Sequence, residues 1–169
     1  RFALIGLGDK EKVTSEVVRL ATGSAIRAAI TKKAKTVTVD CFCSELDSCQ
    51  AMGEGAVLGS YQFIDYKTNS IDSFIVEEVS INGCNDQGLN KGVAIGNAIC
   101  FARDLGNHPG NISTPTYLAN AAEEISKIDE MTLKVFDREE FTEMGMGGLA
   151  GVAQGTHEPP KFIVVEYNN

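Results

Sequence analysis

Histidine is nearly missing from this chain. Only His108 and His157 occur among 169 residues. That scarcity excludes the helical zinc motif HExxH, whose physical basis is two imidazoles one turn apart on one helix face. His157-Glu158 begins the pattern, but Pro159 and Pro160 stand where the helix would have to run, and no second histidine follows. His108 lies beside Pro109 in a polar stretch with no serine or cysteine nucleophile motif, so it reads as a surface or capping residue. Cysteine is present but unpaired in pattern. Cys41, Cys43, Cys49, Cys84 and Cys100 are odd in number and form no CxxC, and neither histidine is near them in sequence. They read as ordinary reduced thiols, which suits a cytoplasmic protein. No apolar run approaches the ~18 residues of a membrane span. Nor does any stretch combine the basic start, apolar middle and small-residue cleavage site of a signal peptide.

Positive charge is also in short supply. Fifteen Lys and Arg face 23 Asp and Glu, for a net charge of −8. Such a balance counts against nucleic acid as a partner, because duplex binding rests on neutralising phosphates with cations. The distribution is uneven, however. Residues 1–40 hold eight cations (Arg1, Lys10, Lys12, Arg19, Arg27, Lys32, Lys33 and Lys35) against four acids, leaving the excess of acid in the remainder. A solvated helix face accounts for this segment, and a basic docking surface is the competing reading.

What is there reads as alternating strands and helices. Phe2-Ala3-Leu4-Ile5-Gly6 has the look of a short strand closed by Gly6-Leu7-Gly8-Asp9. The chain starts in that apolar run directly after Arg1, as a fragment would. Thr14 is placed as an N-cap, with Val13 and Val18 as a hydrophobic staple, ahead of a helix that should end near Thr31-Lys32-Lys33. Thr36-Val37-Thr38-Val39 is a β-branched strand. A helix over 45–61 follows, weakened by Gly53, Gly55 and Gly59, and Ser73-Phe74-Ile75-Val76 reads as a third strand. Asp86 caps a long helix with Ala94, Ile95, Ala98, Ile99, Ala102 and Leu105 on one side and Gly106 at its C′ position. Thr114 with Pro115 at N1 opens the next helix, Leu133-Lys134-Val135 is a brief strand, and Asp137 with Glu140 forms a capping box. Phe162–Tyr167 is a strong final strand. The expected class is α/β: a mostly parallel sheet with helices on both faces, a long connecting helix, then an incomplete second α/β unit. Residues 1–85, 86–106 and 107–169 are the corresponding segments.

The remaining motifs carry little chemistry. Gly145-Met146-Gly147-Gly148-Leu149-Ala150 satisfies GxGxxA, but a helix rather than a strand precedes it, and a tight glycine turn explains it better than a dinucleotide site. Gly6-x-Gly8 lacks the third glycine. Glu123-Glu124 and Glu139-Glu140 are adjacent on helices and diverge, while Asp65 and Asp72 lie in a connection, so no hard-cation site emerges.

Several segments together carry a resemblance. They are Phe2–Gly8 with its capped helix; Leu58-Gly59-Ser60-Tyr61-Gln62-Phe63; Asn97–Asn107; Asn111-Ile112-Ser113-Thr114-Pro115; and Met144-Gly145-Met146-Gly147-Gly148-Leu149, leading through Gln154-Gly155 to Glu158-Pro159-Pro160. In order and spacing they resemble the leucyl (cytosol) aminopeptidase family over nearly the whole chain. The resemblance implies a macro-domain-like α/β N-terminal domain over residues 1–85, its first strands missing, and a connecting helix at 86–106. Residues 107–169 would then begin the catalytic domain. It further implies removal of N-terminal residues, often leucine, from peptides by water activated between two divalent ions (zinc, manganese or magnesium). A homo-hexamer, a dimer of trimers, is implied as well. The family's metal-binding Lys, Asp and Glu segments fall beyond residue 169. No catalytic, metal or cofactor residue is therefore assigned here, and the isolated chain is expected to be inactive and metal-free. The competing reading is a non-catalytic assembly or nucleic-acid-binding module; ADP-ribose binding by analogy with macro domains rests on fold alone.

Overall fold

The computed structural model describes residues 2–41, 46–68, 74–128 and 130–168. Cys43, Glu45, Asp72 and Ser73 thus lie outside the described residues. The chain is α/β and divides into two compact units, Arg1–Asp104 and Leu105–Asn169.

In the first unit, α1 (Ser15–Thr31) begins as its sequence prescribes: the Thr14 hydroxyl accepts the Val17 N–H at 3.4 Å. Val18 is 2% exposed, and Val13 packs against the same cluster. Next come β1 (Thr36–Asp40), α2 (Leu46–Ser60), β2 (Glu78–Asn82) and α3 (Asp86–Asn107). Strands β1 and β2 pair in parallel, with Thr36 opposite Glu78 and Asp40 opposite Asn82.

Several expectations are corrected in this unit. Residues 2–9 form no strand, and Phe2 and Leu4 are fully exposed; a lone apolar run has no ladder without a neighbour to pair with. The third strand starts at Glu78 rather than Ser73. Phe74–Glu77 is irregular, Ile75 is 65% exposed, and the Gln62 amide donates to the Phe74 carbonyl at 2.8 Å. Asn85, not Asp86, caps α3: its Oδ1 accepts the N–H groups of Gln87 and Gly88 at 3.0 and 3.2 Å. Gly106 sits inside α3, without the left-handed φ of a C′ residue, because the helix runs one residue further to Asn107.

The glycines of α2, read from sequence as weaknesses, are where its neighbours touch it. A Cβ on Gly59 would lie 2.7 Å from the Gly23 carbonyl oxygen of α1, and one on Gly55 would overlap the Arg19 carbonyl. On the other side, a Cβ on Gly53 would lie 2.7 Å from the Leu89 oxygen of α3. Gly88, Gly92 and Gly96 recur every fourth residue and form one ridge on α3. They are its buried residues, whereas Ala94, Ala98 and Ala102 of the expected stripe are exposed. Helix α2 is therefore held between two helices at backbone distance, and a helix covered on both sides needs no polar face. One polar group is buried there nonetheless: Glu54, 5% exposed, accepts from Arg19 Nε at 2.5 Å and Gln50 Nε2 at 2.8 Å.

The second unit contains α4 (Pro115–Ile125), β3 (Met131–Phe136), α5 (Arg138–Glu143), α6 (Gly147–Val152) and β4 (Phe162–Tyr167). Its sheet is antiparallel, with Val135 opposite Ile163 and the rings of Phe136 and Phe162 stacked 5.8 Å apart. Thr114 caps α4 by accepting the Tyr117 N–H at 3.2 Å, with Pro115 in the first turn. The Glu140 carboxylate accepts the Asp137 N–H at 2.7 Å, and Phe141 of the same short helix is fully buried.

Gly145 stops α5. Its φ is +82°, its N–H donates to Thr142 O at 2.9 Å, and the Met146 N–H donates to Phe141 O at 3.0 Å. That pair of bonds is a Schellman motif, which needs a left-handed residue between helix and exit. The GxGxxA match is thus a helix stop, as the turn reading expects. Gly145→Ala should cost about 1–2 kcal/mol from the left-handed penalty, a loss that a urea unfolding midpoint would register.

Candidate functional site

The described residues among those singled out from sequence fall in several separate places. His108 lies edge-on to Tyr117 with ring centroids 5.4 Å apart, on the loop before α4. Ser113 Oγ in that loop donates to the Leu105 carbonyl at 2.8 Å. His157 and Glu158 line an open cleft of about 540 Å³ together with Asp137, Arg138, Glu139 and Lys161. The cleft's charges are largely spoken for. Lys161 Nζ meets Asp137 Oδ1 at 2.5 Å, and Arg138 Nη2 donates to the Ala153 carbonyl at 2.8 Å. Thr156 lines the cleft beside His157, and its Oγ1 accepts the Glu158 N–H at 3.1 Å.

The carboxylates behave as diverging pairs. Glu124 bonds Lys127 Nζ at 2.6 Å, whereas Glu123 lines a second cavity of about 490 Å³ between α4 and β3. Glu140 is occupied in its cap, Glu139 faces the first cleft, and Asp65 lies in a turn. The basic N-terminal segment is likewise partly neutralised. Lys12 pairs with Asp9, Arg19 with Glu16 and Glu54, and Lys35 with Glu77 at 2.7 Å. The hydrogen bond that Lys35 donates to Glu77, and then the charge of Glu77, raise the Lys35 pKa. Burial alone would lower that of Arg19, but the hydrogen bond and charge of Glu54, aided by Glu16, leave it raised.

One constellation was not foreseen. Cys41, Cys49 and Cys84 place their three sulfurs within 4.8 Å of one another, the one group of three or more His, Cys, Asp or Glu donors that converges so closely among the described residues. The fold explains it. In a parallel pair both strands end on the same side, so Cys41, directly after β1, meets Cys84, two residues after β2. The Cys41 N–H donates to the Asn82 carbonyl at 2.9 Å and extends the ladder to this point. Cys49, fully buried, enters from the first turns of α2, and the Asn85 N–H donates to its sulfur at 3.0 Å. Met52 Sδ lies 3.8 Å from Cys84 Sγ.

None of the three cysteines is in a disulfide. Burial pushes the Cys84 thiol well above the ordinary thiol range, and its hydrogen bonds and charge interactions with Cys49 and Cys41 act in the same direction. Cys84 is therefore a protonated thiol at neutral pH and no nucleophile. Cys100 stands apart on α3, its pKa raised by burial against the opposing pull of Arg103. Spacing in sequence hides the trio, since its members are separated by 8 and 35 positions. A third strand placed at 73–76 also leaves Cys84 far from the strand end that positions it. The usable signal was a cysteine within two residues of the end of each of two parallel strands.

Two family models match the chain. One, for the N-terminal domain of the cytosol aminopeptidase family, covers residues 1–70, and the other, for that family's catalytic domain, covers residues 100–169. A probable cytosol aminopeptidase of Geotalea uraniireducens is 36% identical over 99% of this chain and 36% of its own length. A probable cytosol aminopeptidase of Aquifex aeolicus is 34% identical over 97% of this chain and 34% of its own length. The chain thus spans about a third of the curated relatives it matches. Among solved structures, a tomato leucine aminopeptidase mutant superposes with a TM-score of 0.84 at 26% identity, covering 95% of this chain and 34% of that one. The bottromycin maturation enzyme BotP in complex with Mn gives 0.83 at 28% identity, covering 97% and 36%.

Proposed function

We propose, since the chain belongs to the cytosol (leucyl) aminopeptidase family, that it supplies the N-terminal architecture of a metal-dependent aminopeptidase. In this reading residues 1–85 form the N-terminal domain, 86–106 the connecting helix and 107–169 the opening of the catalytic domain. Peptides are the substrates of the whole enzyme, which removes N-terminal residues, often leucine. A homo-hexamer and a cytoplasmic location belong to the same proposal. No described helix is long and apolar enough to cross a membrane.

The observation that carries the proposal is the ordered match of both domains of one family along one chain, 1–70 and then 100–169. A divalent ion such as the manganese of the BotP complex would serve the whole enzyme by activating water and polarising a carbonyl. The residues described here do not fit a pair of such ions. Hard divalent cations want converging carboxylate and carbonyl oxygens, and among the described residues Glu140 is held in a cap while Glu124 and Asp137 are held in ion pairs. No catalytic step is therefore assigned to them. With leucine p-nitroanilide and Mn²⁺, the chain should release p-nitroaniline no faster than a metal-only blank. Saturable, chelator-sensitive turnover would overturn the proposal.

A further inference from the structure

We propose that Cys41, Cys49 and Cys84 form a binding site for one thiophilic d¹⁰ divalent cation, Zn²⁺, built into the N-terminal unit. Tetrahedral zinc thiolates hold sulfur about 2.3 Å from the metal, which sets sulfurs about 3.8 Å from each other. The three sulfurs already lie within 4.8 Å of one another, so small rotations of their side chains close the site around an ion. A fourth position is covered by sulfur as well, because Met52 Sδ sits 3.8 Å from Cys84 Sγ, leaving that position to the thioether or a water.

The surroundings suit a thiolate cage. Cys49 lies near the N-terminus of α2, and the Asn85 N–H at the start of α3 donates to its sulfur, so two helix beginnings favour negative charge there. Among the described residues no carboxylate or imidazole joins the cluster, and its neighbours Val13, Val18, Val39 and Ile81 are apolar. That donor set selects soft cations over Mn²⁺ or Mg²⁺. It also favours a divalent ion. Three thiolates around Zn²⁺ leave one net negative charge beside an apolar core, where a monovalent ion would leave two. Cys41 and Cys84 are only partly buried, giving the ion an entry path.

The test uses the fully reduced chain and Co²⁺ as a spectroscopic stand-in for Zn²⁺. Addition of Co²⁺ should produce sulfur-to-cobalt charge-transfer absorption that saturates at one ion per chain and is bleached by Zn²⁺. Cys49→Ser and Cys84→Ser should each abolish it, and Cys100→Ser should leave it intact. A variant that fails to fold cannot decide the matter, so the unsubstituted chain supplies a second readout. Zn²⁺ should slow iodoacetamide alkylation of Cys41 by about tenfold or more, since a metal-bound thiolate is withheld from the reagent, while Cys100 reacts as before. Absence of the absorption in the reduced chain, its survival in both serine variants, or alkylation indifferent to Zn²⁺ would each overturn the site. None of these outcomes bears on the aminopeptidase proposal, which the p-nitroanilide assay tests separately.

Discussion

Gly92→Ala should destabilise the first unit by about 1–3 kcal/mol, the range for overpacked cores. A Cβ at this position would overlap the Gln50 carbonyl oxygen and crowd the Gln50 Cα at 3.0 Å. Backbone cannot rotate aside as a side chain can, so α2 and α3 must separate along the whole Gly88–Gly92–Gly96 ridge. Helix propensity acts in the opposite sense. Alanine in place of glycine inside a helix gains about 1 kcal/mol, so the sign of the measured change decides which effect governs. Gly106→Ala on the same helix is the internal control: nothing lies within 4 Å of its added Cβ, and it should stabilise by about 0.5–1 kcal/mol. Urea titrations followed by circular dichroism would read both. Two stabilising alanines would refute the close approach of α2 and α3.

Arg19→Met should cost about 2–4 kcal/mol. Removing one partner of a buried ion pair leaves an uncompensated charge, typically worth 3–5 kcal/mol. The lower figure here reflects the 26% exposure of the Arg19 side chain, against 6% for Glu54. Gln50 would remain as the single donor to the stranded carboxylate. Because the cost arises from Glu54 and not from lost arginine packing, the double variant Arg19→Met, Glu54→Leu should recover most of the stability. A double variant no more stable than Arg19→Met alone would show that the guanidinium's packing, and not its charge, holds α1 to α2.

Features fixed by a few neighbouring residues were legible in the sequence. The caps at Thr14 and Thr114, Pro115 in the first turn of α4, and the Asp137–Glu140 box are chemistry between residues three or four positions apart, and each is where the pattern places it. Features fixed by partners far along the chain were not. Phe74-Ile75-Val76 looks like a strand by composition, yet the ladder opposite β1 starts at Glu78, because β1 selects its partner by register as well as by hydrophobicity. Phe2–Gly6 has strand composition and no ladder at all. Gly53, Gly55 and Gly59 lower intrinsic helicity, which is all that propensity can report, whereas their use is the backbone contact made with two other helices. The cysteine trio was hidden for the same reason. The parallel pairing of β1 with β2 brings Cys41 to Cys84, and α2 adds Cys49 from a third direction.

The central claim is that these residues provide scaffold and that hard-metal hydrolytic chemistry is not built from them. Electron paramagnetic resonance of Mn²⁺ titrated into the reduced chain tests it most directly, because bound manganese loses the sharp aqueous signal. The signal should stay proportional to added Mn²⁺ from the first aliquot, with or without Zn²⁺ present. Loss of the signal up to two equivalents per chain, restored by a chelator, would contradict the account.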